Sequence, residues 1–241
     1  MKEFQKYKKE ISQLIISIWY KDTYRVFEDF LYLSVVAIQN ALDFNQEREN
    51  KYLKIINSYQ KEDREKFPKI LSLSIEAMQE WMGDFFWELF MELNLWNSYT
   101  GQYFTPFHVS EVMSRLTFKN DYKNILEKKW YISFHEPSCG SWGMIISSAK
   151  VMKEDGVNYQ SSLLVNATDI DLKSVYMCYL HCTFYGIPAE ITHWNTLTWE
   201  VFDTFHTLWY YKMLKNIKNI QREPGGISNG LKKEKFLELI K

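Results

Sequence analysis

The run Glu136-Pro137-Ser138-Cys139-Gly140-Ser141-Trp142-Gly143 sets an acid just ahead of a glycine turn and an apolar helical pattern. Placed after a strand, such a turn lets backbone come close to a bound nucleotide-type group. Glycine has no Cβ to hold the group away, and the following helix presents free N–H groups. An acid at the strand end suits a positively charged amino group better than a phosphate. Further along, Asp169 closes a second apolar run, where a carboxylate accepts hydrogen bonds from ribose hydroxyls. Together these residues read as a site for an adenosyl cofactor carrying an amino-acid end. The competing reading is an ordinary strand-to-helix turn with solvated acids, since short glycine motifs also arise by chance.

The surrounding pattern supplies the elements such a site needs. Trp130 to His135, Leu163 to Ala167 and Ala189 to His193 read as short strands. Between them, Ser141 to Met152 and Leu172 to Tyr185 read as helices, the second stopped by Gly186-Ile187-Pro188. Strand, helix, strand, helix, strand is the mononucleotide-binding half of a doubly wound sheet. The expected fold class is therefore α/β with a helical N-terminal region and a partial, truncated Rossmann-like sheet.

Residues 1–98 carry helical stripes: Ile11, Leu14, Ile15, Ile18 and Trp19, then Phe27, Phe30, Leu31, Val35 and Ile38, then Trp81, Phe85, Leu89 and Leu93. At this spacing such aromatics belong to a core rather than to a cofactor box. Residues 99–221 are read as the cofactor-type core, opened by a loop from Asn97 to Pro106. Residues 222–241 form a basic tail with Lys232, Lys233 and Lys235, a solvated helix end or a contact for phosphates.

The net charge of −1 gives no overall pull toward nucleic acid, so any DNA contact must come from a local patch or a partner. The 3 cysteines, Cys139, Cys178 and Cys182, suggest a reducing compartment. The charged start, Lys2-Glu3 followed by Lys6, Lys8 and Lys9, does not resemble a secretory leader. The longest charge-free stretch, Leu93 to Ser110, contains Gly101 and Pro106 and is unsuited to a membrane helix. A cytoplasmic location is expected. Cys178, His181, Cys182 and His193 offer metal-ligand chemistry, but cysteines on an apolar helix are ordinarily core residues, so no metal is expected.

Four segments occur in order: Gly101-Gln102-Tyr103-Phe104-Thr105-Pro106, Glu136-Pro137-Ser138-Cys139-Gly140-Ser141, Thr168-Asp169-Ile170-Asp171 and Trp194-Asn195-Thr196-Leu197. This series resembles the N6-adenine DNA methyltransferases of the modification-subunit type, found in type I restriction systems and on mobile elements. The first third, including Gly83-Asp84-Phe85, resembles that family's N-terminal region. The resemblance implies S-adenosylmethionine as cofactor. Phe104, Thr105 and Pro106 would line its methionine end and Glu136 would bind its amino group. Cys139 and Gly140 would contribute backbone contacts, Asp169 would hold the ribose, and Ile170 would pack on the adenine. Asn195 stands where the family often has an acid for the adenine amino group, and an amide oxygen can accept the same bond.

The chain departs from the family twice. A glycine of the cofactor box is replaced by Trp142, whose indole either blocks the cofactor or swings into the core; weakened binding, tightened by Trp142→Gly, is the expectation. The Asn/Asp-Pro-Pro-aromatic catalytic box is missing, since none of the 5 prolines adjoins another. Asp203, His206 and Tyr210 lie where it would stand, and their spacing reads as one amphipathic helix. The chain also ends before the family's remaining strands. These departures imply no catalytic residues, weak DNA contact alone, and a protein partner or second copy covering an unfinished sheet edge. The aromatic segment Trp199 to Leu214 is expected to fold back over that edge as well. The alternative function is a non-catalytic module that senses S-adenosylmethionine or engages a restriction-system partner.

Overall fold

The computed structural model describes residues 2–95, 105–118, 121–140, 142–195 and 197–220. The N-terminal part is helical: α1 (Lys2–Ile16), α2 (Thr23–Leu42), α3 (Gln46–Asn57), α4 (Lys61–Arg64), α5 (Lys66–Glu80) and α6 (Phe85–Glu92). Short polar side chains start these helices by accepting otherwise unpaired N–H groups, Asp22 from Arg25, Asn45 from Glu47 and Arg48, and Asp84 from Trp87. The sequence stripes face inward, with Ile11, Ile15, Phe27, Phe30, Leu31, Phe85 and Leu89 fully buried. Trp19 is the exception at 83% exposed; it follows the last turn of α1 and no longer shares its inner face.

The second part contains α7 (Phe107–Thr117), α8 (Asp121–Lys129), β1 (Ile132–Glu136), α9 (Gly143–Glu154), α10 (Tyr159–Ser162), β2 (Leu163–Asp169), α11 (Leu172–Tyr185), β3 (Ala189–Asn195), β4 (Glu200–His206) and α12 (Leu208–Ile220). The sheet order is β1-β2-β3-β4, with the first three strands parallel and β4 antiparallel to β3. This is an α/β fold with a truncated methyltransferase-like sheet. The expected strands appear close to their predicted limits. β1 starts two residues late because Trp130 takes a left-handed backbone, φ +56°, while its N–H closes α8 on Leu126. The α11 boundaries follow from local chemistry: Asp171 caps its N-terminus, and Gly186, at φ +73°, ends it in the left-handed conformation.

The segment after β3 departs from expectation. Asp203, His206 and Tyr210 do not share one helix: the first two belong to β4 and Tyr210 to α12. The strand wins because its register satisfies polar groups a helix would leave apart. His206 Nε2 lies 2.9 Å from Glu190 on β3, and the Thr192 and Thr204 hydroxyls face each other across the same pair. The segment does not cover β1 either. β4 extends the sheet at its opposite edge, while α12 lies on one face and packs Tyr210, Met213 and Ile217 on Leu164, against Trp130 and Tyr131. Among the described residues β1 remains an edge strand.

A single cluster of buried side chains runs from Phe4 to Phe205, joining the N-terminal helices to α9, α11 and the sheet. None of the described helices is long and apolar enough to cross a membrane.

Candidate functional site

The parallel strands end together at Glu136, Asp169 and the His193–Asn195 segment. Between β1 and α9 the chain makes a tight turn stitched to the end of β2. The Cys139 N–H donates to the Thr168 carbonyl at 2.8 Å, and the Thr168 hydroxyl donates to the Pro137 carbonyl at 2.8 Å. The Gly140 N–H donates to Asp169 Oδ2 at 2.7 Å, and the Asp171 N–H to Asp169 Oδ1 at 2.9 Å. Gly140 sits at φ +34°, a left-handed backbone that glycine adopts without Cβ strain.

Burial pushes the Asp169 carboxyl above the ordinary carboxylate range, against the lowering effect of its bonds from Asp171 and Gly140. Glu136 is likewise raised, chiefly by burial, with Asp169's charge adding to the effect. Two acids held near one another in a half-buried turn favour a cationic or hydroxyl-rich ligand, which would supply the missing donors.

The indole of Trp142 does not stand over the turn. It is 1% exposed and points into the core, where Nε1 donates to Asp84 Oδ1 at 2.8 Å. Its ring lies 5.2 Å from that of His181, which is itself buried against Phe86. Trp142 holds φ +38°, and its carbonyl accepts the first helical N–H groups of α9, from Ile145 and Ile146. The steric reason for a weakened cofactor site is therefore removed.

Thr105 and Pro106 are exposed at the N-terminus of α7. The Ser114 hydroxyl lies 2.6 Å from that of Ser147, and Glu111 and Arg115 pair with Lys150 and Glu154. The two ion pairs advance by four residues along both helices, so α7 runs in the same direction as α9 and its start lies toward the turn end of the sheet. Ile170 is 60% exposed beside Asp169, and its carbonyl lies 3.0 Å from His193 Nε2. A cleft of about 550 Å³ between α2–α3 and β3–β4 reaches His193.

Asn195 is engaged locally. Its side-chain oxygen accepts the N–H groups of Leu197 and Thr198 at 3.0 and 3.3 Å, capping the β3–β4 turn. Cys139 is buried; a hydrogen bond with Cys178 lowers its thiol pKa, but burial and nearby carboxylates carry the net shift upward, so it is a poor nucleophile. Among the described residues no group of three or more His, Cys, Asp or Glu side chains is placed to hold a metal ion. Phe104, Ser141, Thr196 and the basic tail lie outside the described residues.

Sequence reasoning missed two arrangements. Asp84 serves as the indole's partner, and the available signal was an acid inside an apolar stripe. On the α12 face of the sheet, His135, Asn166, Glu190 and His206 form one rung across all strands, with Asn166 Nδ2 donating to Glu190 at 2.8 Å and Tyr210 to the same carboxylate at 3.2 Å. Its signal was a polar residue at one register position of each strand.

Parallel strands ending on a glycine turn, with a carboxylate at the next strand end, define the class of α/β proteins that bind nucleotide-type ligands at the strand ends. Within that class the family can be stated: the N-6 DNA Methylase family model matches residues 77–217, more than half of the chain, and the chain belongs to that family. No curated protein and no solved structure matches it significantly.

Proposed function

We propose that the chain binds S-adenosylmethionine at the ends of β1, β2 and β3 and serves adenine-N6 DNA modification, or protection from restriction, as the cofactor-holding portion of an assembly. The observation that carries this reading is the Gly140 turn bonded to Asp169 with Glu136 beside it. Such a cofactor supplies an electrophilic methyl group. Glu136 would take its amino group and the Cys139–Gly140 backbone would lie along it. Asp169 would accept from the ribose, for which each carboxylate oxygen keeps a lone pair. Ile170 would cover the adenine ring, and Thr105 and Pro106 would border the methionine end. Asn195 would offer its amide N–H donors, since its oxygen already serves the turn.

Transfer needs acceptors for the adenine amino group and an aromatic that stacks on the extruded base. With β4 turned away to the β3 edge, those groups would come from a second chain alongside β1. DNA contact by the chain alone would be weak at its near-neutral charge. Such modification would take place in the cytoplasm, where DNA and the cofactor meet.

Calorimetric titration with S-adenosylmethionine tests the reading. Saturable binding that disappears in Asp169→Ala is expected. No heat at millimolar cofactor from a folded protein would remove it. A second reading is a non-catalytic module that senses the cofactor or engages a restriction-system partner. The absence of adjacent prolines and the antiparallel β4 favour it; cofactor binding with no gain of methylation in any complex would be its signature.

A further inference from the structure

Asp84 lies in the N-terminal helical layer, outside every segment expected to touch a ligand. It is 2% exposed. Its Oδ1 accepts both the Trp142 indole N–H, at 2.8 Å, and the Trp87 N–H at the start of α6, at 3.2 Å. Burial, the largest influence, raises its carboxyl well above the ordinary range, and the bond from Trp142 works against that shift. A buried acceptor left without its donor is costly, so this bond holds its two ends in register. One end is the first turn of α6. The other is the residue that closes the glycine turn, since the Trp142 N–H bonds the Cys139 carbonyl and the Trp142 carbonyl starts α9. Between them sits Gly140, whose N–H meets Asp169.

The same layer is fixed next to Asp84 by a second contact. The Tyr185 hydroxyl, from the end of α11, accepts the Gly83 N–H at 3.1 Å and lies 2.9 Å from the Gly83 carbonyl. The Gly83–Asp84 pair is therefore tied to α11 and to the turn at once. A large side chain is held in left-handed backbone, a strained state that persists only where its surroundings over-determine it. Here the surroundings are Asp84 and His181.

We propose that Asp84 is a positioning residue for the cofactor turn, acting through the Trp142 indole. The helical layer would thereby set the geometry in which Gly140 and Asp169 meet the ligand. The inference rests on the cofactor reading for its consequence, but not for its geometry.

Amide hydrogen exchange at Gly140, followed by NMR on the full chain, tests it together with S-adenosylmethionine titration. Trp142→Phe keeps an aromatic ring and most of the buried bulk but lacks the indole donor; Asp84→Ala removes the acceptor. Each is expected to speed Gly140 exchange and weaken cofactor binding on the order of tenfold, the size of one buried hydrogen bond. Asp84→Asn, which keeps an acceptor oxygen, should restore both. The double variant Asp84→Ala with Trp142→Phe should be no worse than the more affected single one, because both remove the same bond. Unchanged Gly140 exchange in both single variants would overturn the proposal, as would additive effects in the double variant. If the natural protein binds no cofactor while exchange responds as expected, the anchor stands and the cofactor reading falls.

Discussion

Asp169 grips Gly140: its Oδ2 accepts the glycine N–H at 2.7 Å while Oδ1 accepts the N–H of Asp171 at 2.9 Å. The carboxylate at the end of β2 thus shapes the turn after β1 before any ligand arrives. Asp169→Ala would leave two backbone donors without that partner, at a cost of about 1–3 kcal/mol. The expected outcome is a folded variant with a lowered chemical-denaturation midpoint and no detectable S-adenosylmethionine binding. An unaltered midpoint would show that the two N–H groups find other acceptors.

Acidity should separate binding from folding. Glu136 and Asp169 are both raised above the ordinary carboxylate range, each chiefly by burial. On acidification they take up protons in the folded chain before the unfolded chain does. These two groups therefore favour the fold as pH falls, and that contribution is lost as pH rises through their folded values. Their anionic forms are the ones that would hold an amino group and ribose hydroxyls. Cofactor affinity should accordingly fall at a pH above the usual carboxylate range while circular dichroism still reports a folded chain. Affinity that stays level until the protein unfolds would contradict this.

Trp142→Gly now carries the opposite expectation from the one its position in the motif suggests. Glycine would relieve a left-handed strain of about 1–2 kcal/mol. It would also empty a fully buried indole site, at a cost of about 3–5 kcal/mol, and strand Asp84. The net prediction is a less stable protein with weaker cofactor binding, measured by thermal unfolding and calorimetry. Tighter binding in the glycine variant would show that the indole leaves the core when ligand binds.

What could be read from the sequence was what neighbours decide. The α11 limits lie in Asp171 and Gly186, and β2 and β3 in short apolar runs between turn residues. The acid–glycine turn and Asp169 were legible because strand ends bring such residues together in any parallel sheet. Trp142 was not, because its direction depends on Asp84, far away along the chain. The strand over Glu200–His206 was misread because the three- and four-residue spacing of Asp203, His206 and Tyr210 imitates a helical face. Its true partners, Glu190 and Thr192, are set by cross-strand register. Asn195 matched a family position by place, with an amide where an acid is usual, yet its oxygen is taken by the turn beginning two residues later.

The edge that β1 leaves open among the described residues and the outside of α7 should govern association. α7 buries Ser110 and Ser114 against α9, while Val109, Val112, Met113 and Leu116 face outward. Phe118, just past the end of α7, stacks on Phe134 of β1, so this stripe adjoins the open edge. Unpaired strand groups beside an apolar stripe invite another chain. Light scattering should find a dimer or larger species, shifted toward monomer by Val112→Glu with Leu116→Lys. A monomer at high concentration in the natural protein would rule out self-association and leave only a different partner.

Alone, the chain should not methylate DNA. In this family the adenine amino group is activated by acceptors in the Pro-Pro segment, and positioning of that kind contributes several kcal/mol of barrier lowering, up to about 7–11. Here the matching stretch forms β4 and the start of α12. Asp203 is exposed on the strand, His206 and Tyr210 are both bonded to Glu190, and their rings lie 4.6 Å apart on the α12 face. His206 and Tyr210 are thus held on that face, and Asp203 sits on β4, three strands away from the end of β1, where the Gly140 turn would present the methyl group. Purified protein with labelled S-adenosylmethionine and mixed-sequence duplex DNA should therefore give incorporation no higher than a protein-free control. Asp203→Ala and His206→Ala should leave that background unchanged. Incorporation above background that is lost in either variant would show that β4 supplies the acceptors, and that the chain is an enzyme by itself.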